Sequence, residues 1–309
     1  MWPVPVALGY YEAKSEHFMK HVLAIDLGGS KTSIAMVDRA GRISAKQKIP
    51  AASDFDASVG QITPQPGVTA AGVIVPGIYD PTTGSAWAPN LWGTSFYPLR
   101  AVLEQRLGVP VAIGSDRTGS VLAEQWLGVA RGVQHALFVA IGTGIGVGIL
   151  SNGQPWEGAH GIAGAAGWMV IGGPWKPEHA ACGVWESEAA GPALARRAGM
   201  ATAEAVVAAA RLGDIEAQHA VNQTAEHLAM GIASLVAVFD PEIVVLGGGL
   251  MQAGDLLLEP IRRLALSWTQ PVAARKVRIE LTALGEDAGL LGAARLGWLH
   301  ADQAKATGG

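Results

Sequence analysis

Glycine recurs at alternate positions in Gly142-Thr143-Gly144-Ile145-Gly146-Val147-Gly148, between two apolar runs of β type. Alternating glycines let a backbone turn tightly and bring its N–H groups close to an anion, and the Thr143 hydroxyl adds a donor. A plain glycine-rich hairpin would carry the same pattern. A second segment, Val22 to Thr32, takes a buried strand into Asp26 and then into Gly28-Gly29-Ser30-Lys31-Thr32. Its spacing fits neither the Walker nor the dinucleotide fingerprint, yet it offers a carboxylate for a metal ion or its waters and bare backbone for phosphate. A third segment, Ile243 to Gly249, again runs a strand into Gly247, Gly248 and Gly249. Asp116 follows the strand Val109–Ile113 and precedes a helix over Thr118–Leu127, the position where α/β sheets place their ligands.

Composition bounds what such a site can serve. The chain has 309 residues, enough for two domains of ordinary size; half are hydrophobic and 16% charged, which suits a large core and argues against disorder. Net charge is −4 with no basic run, which makes nucleic acid and anionic membrane poor partners. One cysteine excludes an internal disulfide and fits a reducing, cytoplasmic compartment. No apolar run reaches the roughly 18 residues of a membrane span. Residues 1–18 read as a leader, with Met19 as an alternative start and no basic region of signal-peptide type.

The elements that must position the candidates follow from periodicity. Residues 22–49 read as three strands with a turn at Asp38-Arg39-Ala40-Gly41, 50–71 as a weak helix at best, and Gly72–Val75 as a short strand. Tyr79–Tyr97 reads as a loop, Pro98–Leu107 as an amphipathic helix, and 152–192 as an irregular, glycine- and tryptophan-rich region. Helices are expected at Ala203–Leu212 and Ile215–Phe239, the second capped by Asp214, then near Leu256–Leu266 with a disturbance at Pro260, and from Ala288 to His300.

Taken together, Asp26–Thr32, Val75-Pro76-Gly77, Ala88-Pro89-Asn90-Leu91, Gly142–Gly146, Gly247-Gly248-Gly249 and Asp287–Ala294 resemble the ROK family (repressors, open reading frames and kinases) of the sugar kinase and actin-like ATPase superfamily. The resemblance runs from about Met19 to Trp298. It implies an α/β, two-lobed actin-like ATPase (ribonuclease H-like) fold with a nucleotide cleft between the lobes. The lobes would be 19–117, with the C-terminal helix from about 297 to 309 packing back on it, and 118–296. The strand-rich start and the later glycine hairpin would be two copies of one unit. ATP and Mg²⁺ are the implied cofactors, a sugar the substrate and a homodimer the assembly.

The resemblance also assigns roles. Asp116 would be the general base toward the sugar hydroxyl that attacks the γ-phosphate, though an aspartate there can simply cap a helix. Asp26 would hold Mg²⁺ through water, or serve only as a turn aspartate. Gly28, Gly29, Lys31 and Thr32 would surround the β- and γ-phosphates, with Lys31 equally readable as a solvated charge. Gly142, Thr143 and Gly144 would approach from the other lobe, and Gly247, Gly248 and Gly249 would border adenosine. Asn90 and Glu186 match family positions that bond sugar hydroxyls; a turn cap and a helix-start carboxylate are their bland alternatives.

Three departures bear on the sugar. Ser115 stands where the family has asparagine, and Gly164-Ala165-Ala166-Gly167-Trp168 replaces Gly-Glu-x-Gly-His, so that Trp168 takes the place of a histidine facing the sugar. The cysteine cluster is reduced to Cys182 with His179, so no structural zinc is expected, and tryptophans would fill the region by packing. Losing polar contacts redirects specificity. The expected acceptor is the 6-hydroxyl of a hexose-like sugar, glucose or an amino-deoxy sugar such as kanosamine. A non-catalytic sugar-binding or regulatory protein is the alternative, and a repressor would need a winged-helix module ahead of the first glycine segment.

Overall fold

The structure, a computed structural model, describes residues 21–307. The expected leader at 1–18 lies outside the described residues. The chain divides into two compact units, one comprising residues up to Gly119 together with those from Gly289 onward, the other Ser120–Ala288.

The first unit holds β1 (His21–Leu27), β2 (Lys31–Val37), β3 (Ile43–Pro50), β4 (Val68–Val75) and β8 (Val111–Ser115), ordered β3-β2-β1-β4-β8, with a small sheet β5 (Ile78–Asp80), β6 (Ser85–Trp87) and β7 (Phe96–Tyr97). β1, β2 and β3 form an antiparallel meander, and β4 and β8 run parallel to β1. Val22 to Ile25 are all fully buried, as a strand covered on both faces requires. One cover is the helix Ala288–Thr307. A Cβ on Gly72 of β4 would strike the Ala293 carbonyl, so the helix lies directly on the strand. Trp298 Nε1 donates to Asp38 O at 3.3 Å, and the Arg39 guanidinium stacks 4.2 Å from the Trp298 ring centroid.

The second unit repeats this plan. β9 (Ala136–Ile141), β10 (Ile145–Ser151) and β11 (Gln154–Pro155) form the meander, β12 (Ile243–Gly247) and β13 (Arg278–Leu281) are parallel to β9, and the order is β11-β10-β9-β12-β13. The helix Ile215–Phe239 covers the sheet and is capped by Asp214, whose carboxylate accepts the Ala217 N–H at 2.9 Å.

Several sequence expectations are corrected by tertiary packing. β4 begins at Val68 instead of Gly72. The stretch Tyr79–Tyr97 is no open loop: it contributes to the small sheet and carries the helix Pro89–Trp92, held because Trp92 and Tyr97 pack on Phe55 with ring centroids 5.2 and 4.6 Å away. The region 152–192 contains the helices His179–Cys182, Val184–Ala189 and Gly191–Arg197. The helix Gly254–Trp268 passes through Pro260 without a break, anchored by buried Leu257, Ile261 and Ala265. The last helix continues past His300 to Thr307.

Candidate active site

In the first unit, the C-terminal ends of β1 and β8 bring two acids together. Asp26, next to last in β1, lies beside Ser33 of β2 and Ile74 of β4. Its half-buried carboxylate accepts no hydrogen bond from any described residue. Burial and the nearby Asp116 charge push its pKa up to about 6, against a smaller opposing pull from Lys31. A Cβ on Gly289, in the first turn of the last helix, would collide with the Asp26 carboxylate, so only glycine leaves that oxygen its place. An uncompensated carboxylate beside a second acid is the donor set that a water-mediated Mg²⁺ ion needs.

Asp116 opens the helix Asp116–Leu127, which starts two residues ahead of the expected Thr118. Its Oδ1 accepts the Arg117 N–H at 2.8 Å, and the crowding of protein around it raises its pKa even though the side chain is open to solvent on one side. Ser115 precedes it as the helix cap. The buried Ser115 hydroxyl accepts the Thr118 N–H at 3.2 Å and pairs with Thr118 Oγ1 at 3.0 Å. Through these bonds Ser115 fixes the start of the Asp116 helix.

The glycine segment after β1 is a tight turn: Gly28 N–H donates to Lys31 O at 3.0 Å. Gly29 and Lys31 are exposed, whereas Thr32 is 2% exposed and buried within β2, away from the accessible turn. Asn90 sits exposed in the helix Pro89–Trp92, and its amide bonds no described residue. It does not cap a turn.

In the second unit, Gly142, Thr143 and Gly144 make the turn between β9 and β10, closed by Gly142 N–H to Gly144 O at 2.9 Å. Gly142 O also accepts the Gly191 N–H at 2.8 Å, docking the start of the helix Gly191–Arg197 on the turn. Gly247 ends β12, and Gly248 turns the chain at φ 92° with no room for a Cβ against the Ile141 backbone. Gly142, Thr143 and Gly249 line one cavity of about 520 Å³ with Gly191, Pro192, Thr202, Glu204, Arg211 and Gln252. That volume falls in the range of small-molecule and cofactor sites. The helix starts at Gly191-Pro192 and Thr202 build half of its wall. Sequence reading missed the first of these, although proline at a helix start was the available signal.

Glu186, in the helix Val184–Ala189, accepts the Ile145 N–H at 2.7 Å, and burial raises its pKa. A Cβ on Gly144 would lie 2.6 Å from its Oε2, and one on Gly167 2.9 Å. Glu186 therefore joins the glycine turn to the segment that ends at Trp168, which is 58% exposed. Of the tryptophans expected to pack in this region only Trp185 is fully buried, its Nε1 donating to His227 O at 2.9 Å; Trp156, Trp168 and Trp175 are exposed. His179 and Cys182 serve other contacts, and among the described residues no three His, Cys, Asp or Glu side chains are grouped as metal ligands.

Two copies of one meander-plus-parallel-strand sheet, each with a glycine turn after its first strand, define the actin-like ATPase class to which sugar kinases belong. The chain belongs to the ROK family, whose pattern it matches over residues 22–298. It is 29% identical over 318 aligned residues to a glucokinase of Halalkalibacterium halodurans, covering 91% of this chain and 95% of that protein. Among solved structures it is similar to a ROK hexokinase from Thermus thermophilus (TM-score 0.76, 30% identity, 91% of this chain and 99% of that one). It is also similar to a ROK family glucokinase from Streptomyces griseus in complex with glucose and AMPPNP (TM-score 0.76, 27% identity, 90% and 99%).

Proposed function

We propose that this ROK carbohydrate kinase transfers the γ-phosphate of ATP to the 6-hydroxyl of a hexose-like sugar, glucose or an amino-deoxy hexose such as kanosamine, with Asp116 as general base. The observation that carries the reading is the acid pair at the ends of β1 and β8, in which Asp26 has no hydrogen-bond partner among the described residues and both pKa values are raised. A raised pKa makes Asp116 a better proton acceptor near neutral pH than an ordinary aspartate. Asp26 would hold Mg²⁺ through its waters, and the ion would neutralise charge on the phosphates. Gly28, Gly29, Lys31, Gly142, Thr143 and Gly144 would surround those phosphates, and the cavity beside Gly249 would take the adenosine. Asn90, Glu186 and Trp168 would contact the sugar, Trp168 by stacking on an apolar ring face. The relatives named as glucokinases and the complex with glucose and AMPPNP support this chemistry for the present chain.

The test is ADP release by the purified chain with ATP and Mg²⁺ over a panel of hexoses and amino-deoxy hexoses, with the product's phosphate position read by ³¹P NMR. Sugar-dependent ADP release with a 6-phosphate product is expected. ATP binding without turnover on any sugar would favour the non-catalytic alternative.

A further inference from the structure

Between Trp168 and Glu186 the chain makes an excursion whose ends are pinched together. Gly183, at φ 84°, has no room for a Cβ against the Trp168 Cα and the Gly167 carbonyl, and Trp185 N–H donates to Met169 O at 3.0 Å. The two residues read as sugar contacts thus sit at the two feet of one closed loop, 169–183, of the Ω type.

What holds the body of that loop is a single carboxylate. Glu188 Oε1 lies 2.6 Å from Lys176 Nζ and 3.4 Å from His179 Nε2, and Oε2 lies 3.8 Å from Arg197 NH2. Lys176 N–H donates to His179 Nδ1 at 3.0 Å, which leaves the proton of a neutral ring on Nε2, facing Glu188. His179 is 3% exposed. Arg197 anchors the hub from behind: it donates to Glu188 O at 2.7 Å and to Thr224 Oγ1 at 2.5 Å, and lies 3.3 Å from His227 Nδ1. The loop, the Glu188 helix and the long helix Ile215–Phe239 line a cavity of about 200 Å³ there. Trp175 rests edge-on against His179, its centroid 6.3 Å away, and remains exposed. No step of the phosphoryl transfer uses any of these groups.

We propose that Glu188 is a positioning residue for the sugar: by gripping Lys176 and His179 it fixes loop 169–183 and thereby sets Trp168 and Glu186 at the loop's feet. The proposal rests on the sugar-contact reading of those two residues. A half-buried carboxylate with three cationic or proton-donating partners holds geometry that a single exposed ion pair would not, and a binding site is only as well set as the shell behind it. Loss of the hub loosens the sugar side; the nucleotide cavity shares with the hub only the helix Gly191–Arg197, whose start keeps its own anchor, Gly191 N–H on Gly142 O.

The test compares wild type with Glu188→Gln and, as a second variant, Lys176→Met, which removes one arm of the hub from an exposed position and serves if Glu188→Gln does not fold. Hydrogen exchange over 170–182 should rise at least several-fold in both variants, with exchange over 203–211, the nucleotide-cavity helix, unchanged. KM for D-glucose, or for the hexose turned over fastest in the panel, should rise about tenfold for Glu188→Gln and less for Lys176→Met. kcat and AMPPNP affinity should stay within twofold, and the double variant should be no worse than Glu188→Gln alone. Unchanged exchange over the loop would overturn the hub. A looser loop with unchanged sugar KM would overturn its link to the sugar, and a parallel fall of kcat, sugar and nucleotide affinity would show a merely structural role. Wild type inert on every sugar would instead sink the kinase reading, and the exchange arm would still decide whether Glu188 holds the loop.

Discussion

The two units share one sheet order and differ in what stands at the equivalent strand ends. β1 delivers Asp26 and then a glycine turn; β9, its counterpart, delivers Ile141 and then Gly142-Thr143-Gly144. β8 hands over to Asp116, whereas β13, its counterpart, ends at Leu281; β12, the counterpart of β4, hands over to Gly248 and Gly249. The first unit keeps two carboxylates whose charged forms the fold penalises; the second offers backbone, one hydroxyl and a cavity. On the function proposed above, the acid–base and cation groups belong to the first unit and the adenosine cavity to the second, with a glycine turn for phosphate in each. Function lies in these few end residues, since the strands behind them are interchangeable apolar runs.

Substitutions can break that division of labour. The largest effect is expected from Asp116→Asn, which removes the proposed proton acceptor and should lower kcat by about 10²–10⁴-fold, measured by coupled ADP release. Asp26→Asn comes next. Its charged form is the costly one in the fold, so with a pKa near 6 against an ordinary 3.8 the penalty is present above pH 6, fades between 6 and 4, and is gone below about 4. At pH 7 the variant should therefore be more stable by about 1–2 kcal/mol, with the gain vanishing by pH 4, while it loses Mg²⁺-dependent turnover. Denaturant melts at the two pH values check the sign; a destabilised variant at pH 7 would mean that Asp26 is compensated. Thr143→Ala should be the mildest, costing one hydrogen bond of about 1 kcal/mol or a several-fold rise in KM for ATP.

Much of this was legible beforehand because the informative residues are local. The glycine turns, Asp26 at a strand end and the Asp214-capped helix Ile215–Phe239 all follow from short-range pattern. The misses share one cause. The helices at Pro89 and Gly191 and the unbroken Pro260 helix are settled by partners distant in sequence: Phe55 under Trp92, Gly142 receiving Gly191, the sheet beneath Leu257 and Ile261. The Glu188 hub was invisible for the same reason, since Lys176, His179, Arg197 and Thr224 show no common spacing.

The division between the units is tested most directly by calorimetric titration of AMPPNP, in the presence of Mg²⁺, into wild type, Asp116→Asn and Thr143→Ala side by side. Asp116→Asn should bind the nucleotide as wild type does while turning over almost nothing, and only Thr143→Ala should bind it several-fold more weakly. Loss of nucleotide affinity in Asp116→Asn, or its retention in full by Thr143→Ala, would contradict the assignment of proton transfer to Asp116 of the first unit and of a nucleotide contact to Thr143 of the second.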